Sequence, residues 1–185
     1  MVYLTHSMPS KNLWSVSLEK APDNQQERLE IANWIRGFVD GEGCFSVSFI
    51  RNSTTSSGWQ IFPEFVVTQG VKSKHALEII KEWFGCGAIY INNRYDNHTE
   101  PLARYCVRSK RDLKEKIIPF FQQNPLITSK QKDFDYFVKI MNLLNKEIYK
   151  MPAGLKKIAQ YVQKMNRKVP SRFLESSETT RRTRK

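Results

Sequence analysis

Ile35-Arg36-Gly37-Phe38-Val39-Asp40-Gly41-Glu42-Gly43 is the stretch where a helical pattern of apolar residues gives way to a strand pattern. Gly37 and Gly41 lie four residues apart, so both fall on one face of the preceding helix. A glycine inside a helix costs about 1 kcal/mol relative to alanine, so a packing reason is expected. Without a Cβ atom, this face lets a second backbone approach closely. The spacing therefore predicts a helix–helix contact through the glycines.

Two carboxylates, those of Asp40 and Glu42, close the same stretch. They fall at the C-terminal end of the predicted helix, where the helix dipole disfavours negative charge. A divalent cation with oxygen ligands would offset this repulsion, and Gly41 leaves its backbone carbonyl accessible as a further ligand. The alternative is a glycine-rich helix end followed by a turn with solvated acids. The predicted helix is apolar on two faces, one formed by Leu29, Ala32, Ile35 and Val39 and the other by Ile31, Trp34 and Phe38. These two faces and the second glycine one turn earlier favour the metal-binding hypothesis.

The composition bounds the class of protein. The 185 residues fit one domain, and 40% of them are hydrophobic, which suffices for a buried core. Thirty Lys and Arg against eighteen Asp and Glu give a formal net charge of +12, which favours a polyanionic partner such as nucleic acid. The alternative is a basic protein without such a partner. No apolar run approaches the roughly 18 residues of a membrane span, so no membrane partner is predicted.

The cysteines and histidines fit no zinc-site spacing. Cys44, Cys86 and Cys106 stand in or beside apolar stretches and are predicted to be reduced core residues. An odd number of cysteines without a secretion signal fits a reducing compartment. The expected location is therefore intracellular, in a bacterial cytoplasm or in an organelle (mitochondrion or chloroplast), and the sequence leaves that choice open.

Residues 1–21 are predicted to be an irregular extension, residues 22–170 a single domain and residues 171–185 a basic, disordered tail. Within the domain, apolar residues recur at helical or at alternating spacing. Pro63 predicts an edge position or a bulge in the second strand, and Pro119 predicts an interruption of the third helix. The helices are expected at about residues 23–40, 72–84, 111–121, 131–146 and 155–162, and the strands at about 44–51, 59–69, 88–94 and 102–108.

The predicted order α-ββ-α-ββ-α-α indicates an α+β fold, with one antiparallel sheet and helices on one of its faces. In the strand of residues 44–51, phenylalanines and a valine alternate with serines, so one sheet face is apolar and the other largely polar. The polar face is either solvated, which is the default for an antiparallel sheet, or reads a DNA groove as a β-ribbon.

The opening motif resembles the LAGLIDADG signature of homing endonucleases and related intron maturases, in a single copy. Further segments resemble the family's elements in the same order: FVVTQ at residues 65–69, GCGAIYINNR at 85–94 and PFFQQNPLITSKQKDF at 119–134. The resemblance covers roughly residues 25–165. It implies the family's fold, in which the antiparallel sheet forms a saddle and the helices lie on the opposite face. It also implies a nuclease that cuts DNA at a specific site.

The resemblance implies roles for individual residues. Glu42 and the Gly41 carbonyl correspond to ligands of the essential divalent metal, Mg²⁺ or another cation such as Mn²⁺, whereas Ca²⁺ is expected to bind without supporting cleavage. Asp40 corresponds to a second motif acid with a mainly positional role. Gln69 corresponds to a residue that positions water, and Lys130 to a basic residue near the scissile phosphate. The expected catalytic set is thus Glu42, Asp40, Gln69 and Lys130.

Single-motif members of the family act as homodimers, with motif helices packed at the dyad and a pseudo-palindromic target. The expected dimer contact is formed by Ile35, Gly37, Phe38 and Gly41. The polar sheet face is expected to lie in the major groove of double-stranded DNA, its apolar members against thymine methyl groups. The predicted DNA-contacting residues are Ser46, Ser48, Ile50, Gln60, Phe62, Glu64, Val66, Thr68, Tyr90, Asn92 and Arg94.

Three points stay open. The family carries a further basic residue near Ser73, but here Ser73 stands between Lys72 and Lys74, so the identity of that helper cation is undecided. The same fold serves in maturases, which bind intron RNA as splicing cofactors, with or without DNA cleavage. The fold would also suit a DNA-binding protein that has lost catalysis. The intact motif acids favour a nuclease.

Overall fold

The computed structural model describes residues 25–55, 57–92 and 100–165, and its elements follow the predicted order, except that three helical segments rather than two come after the second hairpin. The predicted extension (1–21) and tail (171–185) lie outside these ranges. The helices are α1 (Gln25–Glu42), α2 (Lys74–Phe84), α3 (Lys110–Asp112), α4 (Ile118–Gln123), α5 (Lys130–Asn145) and α6 (Pro152–Lys164), and the strands are β1 (Gly43–Arg51), β2 (Trp59–Gly70), β3 (Ala88–Asn92) and β4 (Leu102–Val107). Among these described helices, none combines the length and the apolar character that crossing a membrane requires.

The four strands form one antiparallel sheet in the order β1-β2-β4-β3. β1 pairs with β2 over its whole length, whereas β4 pairs with β2 only along Phe65–Gly70. The first half of β2 therefore has no described strand on its second side. Pro63, which has no N–H to donate to a neighbouring strand, lies in that half. The predicted edge position of Pro63 is confirmed.

The core lies between the sheet and the helices. Residues at alternate positions of β1 and β2 are buried, as the alternation predicts. At the centre, the ring of Phe45 stacks on that of Phe65, with 5.1 Å between the ring centres, and lies 5.0 Å from the ring of Phe134 on α5. Each such buried phenylalanine contributes about 2–3 kcal/mol to stability. This apolar face therefore carries the helices, and the opposite sheet face remains available for other contacts.

The predicted interruption at Pro119 takes the form of a π-helical turn rather than a break. Helical backbone continues from α3 through the π turn (Leu113–Ile117) into α4, and Pro119 is the second residue of α4. A π turn changes the hydrogen-bonding pattern just where proline has no N–H to donate. Because Leu113 and Ile117 are fully buried, the segment keeps its packing on the core.

The cysteines divide between the core and the surface. None of the three forms a disulfide bond. Cys106 is buried and Cys86 is half-buried, but Cys44 is exposed, so its predicted place in the core is wrong. The reason is strand parity: Cys44 precedes the buried Phe45 and therefore points to the opposite sheet face.

Candidate active site and nucleic-acid interface

Gly43 is the residue at which α1 passes directly into β1, and it is buried. A Cβ atom there would lie 2.8 Å from the carbonyl oxygen of Val39, which is closer than van der Waals contact allows. Glycine is therefore required for this abrupt change from helix to strand. The helix extends to Glu42, two residues beyond the predicted end, so Asp40 and Glu42 both belong to its last turn.

Asp40 is held by the loop that precedes α5. Its Oδ2 accepts hydrogen bonds from the backbone N–H of Ile127 at 2.8 Å and of Thr128 at 3.1 Å, and its Oδ1 accepts one from the Thr128 hydroxyl at 2.6 Å. Burial raises the pKa of Asp40, but these hydrogen bonds together with the charge of Lys130 outweigh it and hold the pKa below its usual range. Asp40 thus tethers this loop to the end of α1 as a carboxylate.

Lys130 begins α5 and places its ammonium group at the C-terminus of α1. Its Nζ donates to the carbonyl oxygens of Val39 at 2.9 Å and of Gly41 at 3.0 Å. The last carbonyls of a helix have no partner within it, so the lysine completes the helix end. Burial lowers the pKa of Lys130, and the negative charges of Asp40 and Glu42 offset part of that effect. The ammonium group therefore donates to the Gly41 carbonyl oxygen, the same atom that the family resemblance assigns as a metal ligand.

One chain supplies few donors for a metal ion. The exposed Glu42 carboxylate and the Gly41 carbonyl are the hard oxygen donors that Mg²⁺ prefers. The Asp40 oxygens already accept hydrogen bonds from the loop before α5. Within the described residues, no group of three or more His, Cys, Asp or Glu side chains could hold a metal. The donors fit a divalent cation, but as a partial site that needs ligands from outside the chain.

Gln69 lies at the end of β2, near the junction of α1 and β1. Val67 pairs with Gly43, the first residue of β1, so Gln69 extends two residues beyond that junction. Its side chain is half-buried. The sheet register thus places Gln69 at the same end of the sheet as the motif acids.

The two lysines beside Ser73 differ in their surroundings. Ser73 and Lys72 are exposed, and the backbone N–H of Lys72 donates to a carboxylate oxygen of Glu100 at 2.7 Å, which anchors the turn. The ammonium of Lys74 lies 2.8 Å from the Glu78 carboxylate, one helical turn away. Because Lys74 is engaged in this ion pair, Lys72 is the stronger candidate for a helper cation.

Gly37 and Gly41 form an open strip along α1, here called the glycine strip. A Cβ atom at either position would meet no described atom within 4 Å, so packing within the chain does not explain these glycines. Phe38 is half-buried beside them. The prediction that Ile35 contacts a second chain is wrong, because Ile35 has 0% exposure and belongs to the α1 face that packs on the core. Without unfolding, its side chain cannot reach a partner.

The sheet face turned away from the helices carries most of the predicted contact residues. Val66, 5% exposed, is a correction: it points to this face but lies between Cys44 and Cys106 on the neighbouring strands, which cover it. Arg94 lies outside the described residues. The other predicted residues have exposed or half-exposed side chains: Ser46, Ser48, Ile50, Gln60, Phe62, Glu64, Thr68, Tyr90 and Asn92.

Arg104 and Arg108 also lie on this face, although the predicted set does not contain them. An Nη2 atom of Arg104 lies 3.5 Å from Oε1 of Glu64, and Nε of Arg108 donates to Oε2 of the same carboxylate. This hydrogen bond raises the pKa of the Arg108 guanidinium. Strand alternation identifies Arg104, because the odd-numbered residues of β4 are buried and its even-numbered residues point to the open face. Arg108 lies one residue beyond the end of β4 and has the same parity.

Comparison with known proteins agrees with this geometry. The sequence profile of the LAGLIDADG endonuclease family matches residues 35–141. A probable intron-encoded endonuclease of Neurospora crassa is 27% identical over 161 residues, which are 86% of this chain and 28% of that protein. The crystal structure of the homing endonuclease I-TnaI aligns with a TM-score of 0.71 and 32% identity over 80% of this chain and 96% of I-TnaI. I-LtrWI, solved bound to its target DNA, aligns with a TM-score of 0.72 and 31% identity over 80% of this chain and 49% of I-LtrWI.

The relatives differ in length from this chain. The chain spans 28% of the Neurospora protein and about half of I-LtrWI, but it aligns with nearly all of I-TnaI. The family profile begins at Ile35, the first residue of the motif, and extends into α5. Because this profile covers more than half of the sequence, and the fold matches solved members at about 30% identity, the chain belongs to the LAGLIDADG endonuclease family.

Proposed function

We propose that this protein is a site-specific homing endonuclease that makes double-strand breaks in a long pseudo-palindromic DNA target. In this proposal it hydrolyses phosphodiester bonds with a divalent metal and acts as a homodimer. The observation that carries the proposal is the cluster of Asp40, Gly41, Glu42 and Lys130, here called the motif cluster. It lies where the glycine strip meets the start of β1, so it can face a second chain and DNA together.

Each residue of the motif cluster has a separate role in the proposed reaction. Glu42 and the Gly41 carbonyl would hold Mg²⁺ or Mn²⁺, which when bound supplies Lewis acidity for hydrolysis. Lys130, whose ammonium already lies at the Gly41 carbonyl, would stabilise negative charge on the scissile phosphate. Asp40 holds the loop before α5, and through it Lys130, against α1. Gln69 would orient water from the end of β2.

The glycine strip supports a symmetric dimer. Two α1 helices that meet through Gly37 and Gly41 can bring their backbones close, because no Cβ atom intervenes. Phe38 would complete the contact. The two motif clusters then lie next to each other, and each chain's partial donor set is joined by the other's. A two-fold axis at this contact explains why the target would be pseudo-palindromic.

The open sheet face is the proposed DNA-binding surface. Its hydroxyl, amide and guanidinium groups can read base edges in the major groove, and exposed Ile50 and half-exposed Phe62 can contact thymine methyl groups. The net charge of +12 favours contacts with phosphates, which supply much of the affinity. DNA affinity should therefore fall steeply between low and physiological salt. A flat salt dependence would contradict the phosphate contacts.

The decisive experiment measures cleavage by the full chain. Wild type is incubated with Mg²⁺ and a library of intron-insertion-site DNA, beside Glu42→Gln and the matched control Glu82→Gln, which alters an exposed glutamate on α2. Wild type and the control should cut one site on both strands, and Glu42→Gln should not. Mn²⁺ should replace Mg²⁺, whereas Ca²⁺ should allow binding without cleavage. Light scattering with DNA present should give a dimer, and a monomeric mass would refute the dimer.

Two other outcomes would replace the proposal. Tight binding to intron RNA without cleavage of any DNA site would make the protein a maturase. Site-specific DNA binding without cleavage, in any divalent metal, would make it a catalytically inactive DNA-binding protein. For a homing endonuclease the place of action is where the host intron's DNA lies, a bacterial cytoplasm or an organelle.

A further inference from the structure

Glu64 is a carboxylate on the surface that the proposed function turns towards DNA. Phosphates repel a negative charge there, so its presence needs a reason. Its side chain is 16% exposed and lies between the guanidinium groups of Arg104 and Arg108. The three side chains together carry a net charge of +1. The group can thus approach DNA, and the acid joins the two arginines into one unit.

The unit is held on several sides. The Arg108 guanidinium lies 5.6 Å from the centre of the Tyr90 ring. Below it, Val66 and Cys106 pair across β2 and β4 and are 5% and 4% exposed, so they form an apolar floor. Burial raises the pKa of Cys106, so its thiol is neutral at neutral pH and the floor carries no charge. Side chains that are held before binding lose less rotamer entropy when they contact a ligand.

The spacing of the guanidinium groups is set by a single carboxylate. Residues four apart on a strand are separated by roughly 13 Å along the backbone. Both side chains nevertheless converge on Glu64, one at each of its two oxygens. Successive base pairs are about 3.4 Å apart, so groups that share one carboxylate face neighbouring base pairs. Paired N–H donors of arginine match O6 and N7 of guanine, and a carboxylate accepts from the amino group of cytosine.

We propose that Glu64, Arg104 and Arg108 form one base-reading unit that selects guanines at two neighbouring base pairs in each half of the DNA target. The arginines contact the bases, and Glu64 is the positioning residue that holds their guanidinium groups. This inference rests on the proposed function, because it needs the open sheet face to lie in the major groove.

The test is selection of bound sequences from a randomised DNA library in Ca²⁺, which requires no cleavage. Wild type is compared with Arg104→Lys and Arg108→Lys, which keep the charge and lose the paired donors, and with Glu64→Gln. Arg111→Lys, on α3 and with a side chain 76% exposed, is the matched control. Thermal melting checks that each variant is folded.

Wild type and Arg111→Lys should select guanine at two neighbouring positions per half-site. Each lysine variant should lose between about 5-fold and 150-fold of the preference at one of them. Glu64→Gln should weaken the guanine preference at both positions. Its binding to unrelated DNA should become tighter, since a negative charge is lost. If Glu64 only stabilised the fold, its replacement would not lower the preference and raise the non-specific affinity together. If wild type selects a sequence but the lysine variants keep both preferences, the base-reading unit is refuted alone. If wild type selects no sequence, the proposed function fails and the unit with it.

Discussion

Replacement of Lys130 by methionine should separate function from stability. Methionine has a side chain of similar length and no charge, so it fills the volume of the aliphatic chain and removes the ammonium group. The variant loses the hydrogen bonds from Nζ to the carbonyls of Val39 and Gly41. It also loses the positive charge that the proposed mechanism places near the scissile phosphate. Cleavage should therefore fall by at least about 100-fold, the usual scale for one electrostatic catalytic group.

The stability effect is expected to be small because opposing contributions nearly cancel. Two hydrogen bonds from a charged donor contribute about 1.5–3 kcal/mol each, and a cation at a helix C-terminus contributes about 0.3–1 kcal/mol. Against this, partial burial of an ammonium group costs up to several kcal/mol, and ordering a lysine side chain costs about 2 kcal/mol. The lowered pKa of Lys130 shows that the fold disfavours its charged form, which agrees with these costs of placing the ammonium group. We expect the free energy of unfolding to change by no more than about 1 kcal/mol.

Two measurements check this prediction. Urea unfolding gives the free energy of unfolding for wild type, Lys130→Met and the control Lys132→Met, which alters an exposed lysine two residues away on α5. Single-turnover cleavage of the target gives the loss of rate for the same three proteins. A loss of more than about 3 kcal/mol in Lys130→Met would refute the reasoning, because it would make the lysine chiefly a structural residue. Full cleavage activity in that variant would exclude the electrostatic role.

Three further changes test other parts of the structure. Asp40→Asn should lower stability at pH 7 by about 1–2 kcal/mol, because the amide keeps one acceptor oxygen where the carboxylate has two, and the hydrogen bonds that remain lose the help of charge. The folded pKa of Asp40 lies below the reference value of 3.8, so the wild-type advantage is complete above pH 4 to 5 and lost as the pH falls through the folded pKa; urea unfolding at pH 7 and pH 3 that gave equal differences would contradict this. Gly37→Ala should raise the stability of the single chain by up to about 1 kcal/mol, since nothing within the chain obstructs a Cβ atom, yet weaken the dimer in light scattering. Gly154→Ala should cost at least about 1–3 kcal/mol in thermal unfolding, because its Cβ atom would lie 1.9 Å from the Ile148 carbonyl oxygen; an unchanged melting temperature would show that α6 shifts freely.

Local patterns predicted the fold well because burial imposes period two on this sheet. Phe45 and Phe65 are buried where alternation places them, and Gly85 ends α2 with a positive φ of 56°. The prediction that Val66 contacts DNA failed because local patterns do not show which residues are covered. Parity assigned its direction correctly, but whether an outward residue is covered depends on its neighbours in the sheet, and strand order is not a local property. Arg108 was missed because the predicted contact set extended only one strand into the second hairpin.

The error at Ile35 shows the limit of reading a helix with two apolar faces. Ile35 and Phe38 are both apolar and both lie in the motif, and spacing alone cannot tell which packs on the chain's own sheet. Local spacing is even less informative about the candidate site, because its residues are far apart in the sequence. Asp40 accepts a hydrogen bond from Ile127, which is 87 residues away in the sequence, and Lys130 donates one to Gly41, which is 89 residues away. No periodicity spans such a distance, so only the family resemblance joined these residues before the fold did.

The two motif acids are two residues apart on one helical turn, yet the fold gives them opposite conditions. The loop before α5 supplies Asp40 with two backbone donors and a hydroxyl, which stabilise its charge within the chain. Glu42 is exposed at the same helix end, where the dipole disfavours its charge, and a dimer through the glycine strip would bring a second Glu42 nearby. The ammonium group of Lys130 already donates hydrogen bonds to the carbonyls of this helix end. The proposed dimer would therefore bring the carboxylates of two helix ends together, and the proposed divalent cation would offset their charge.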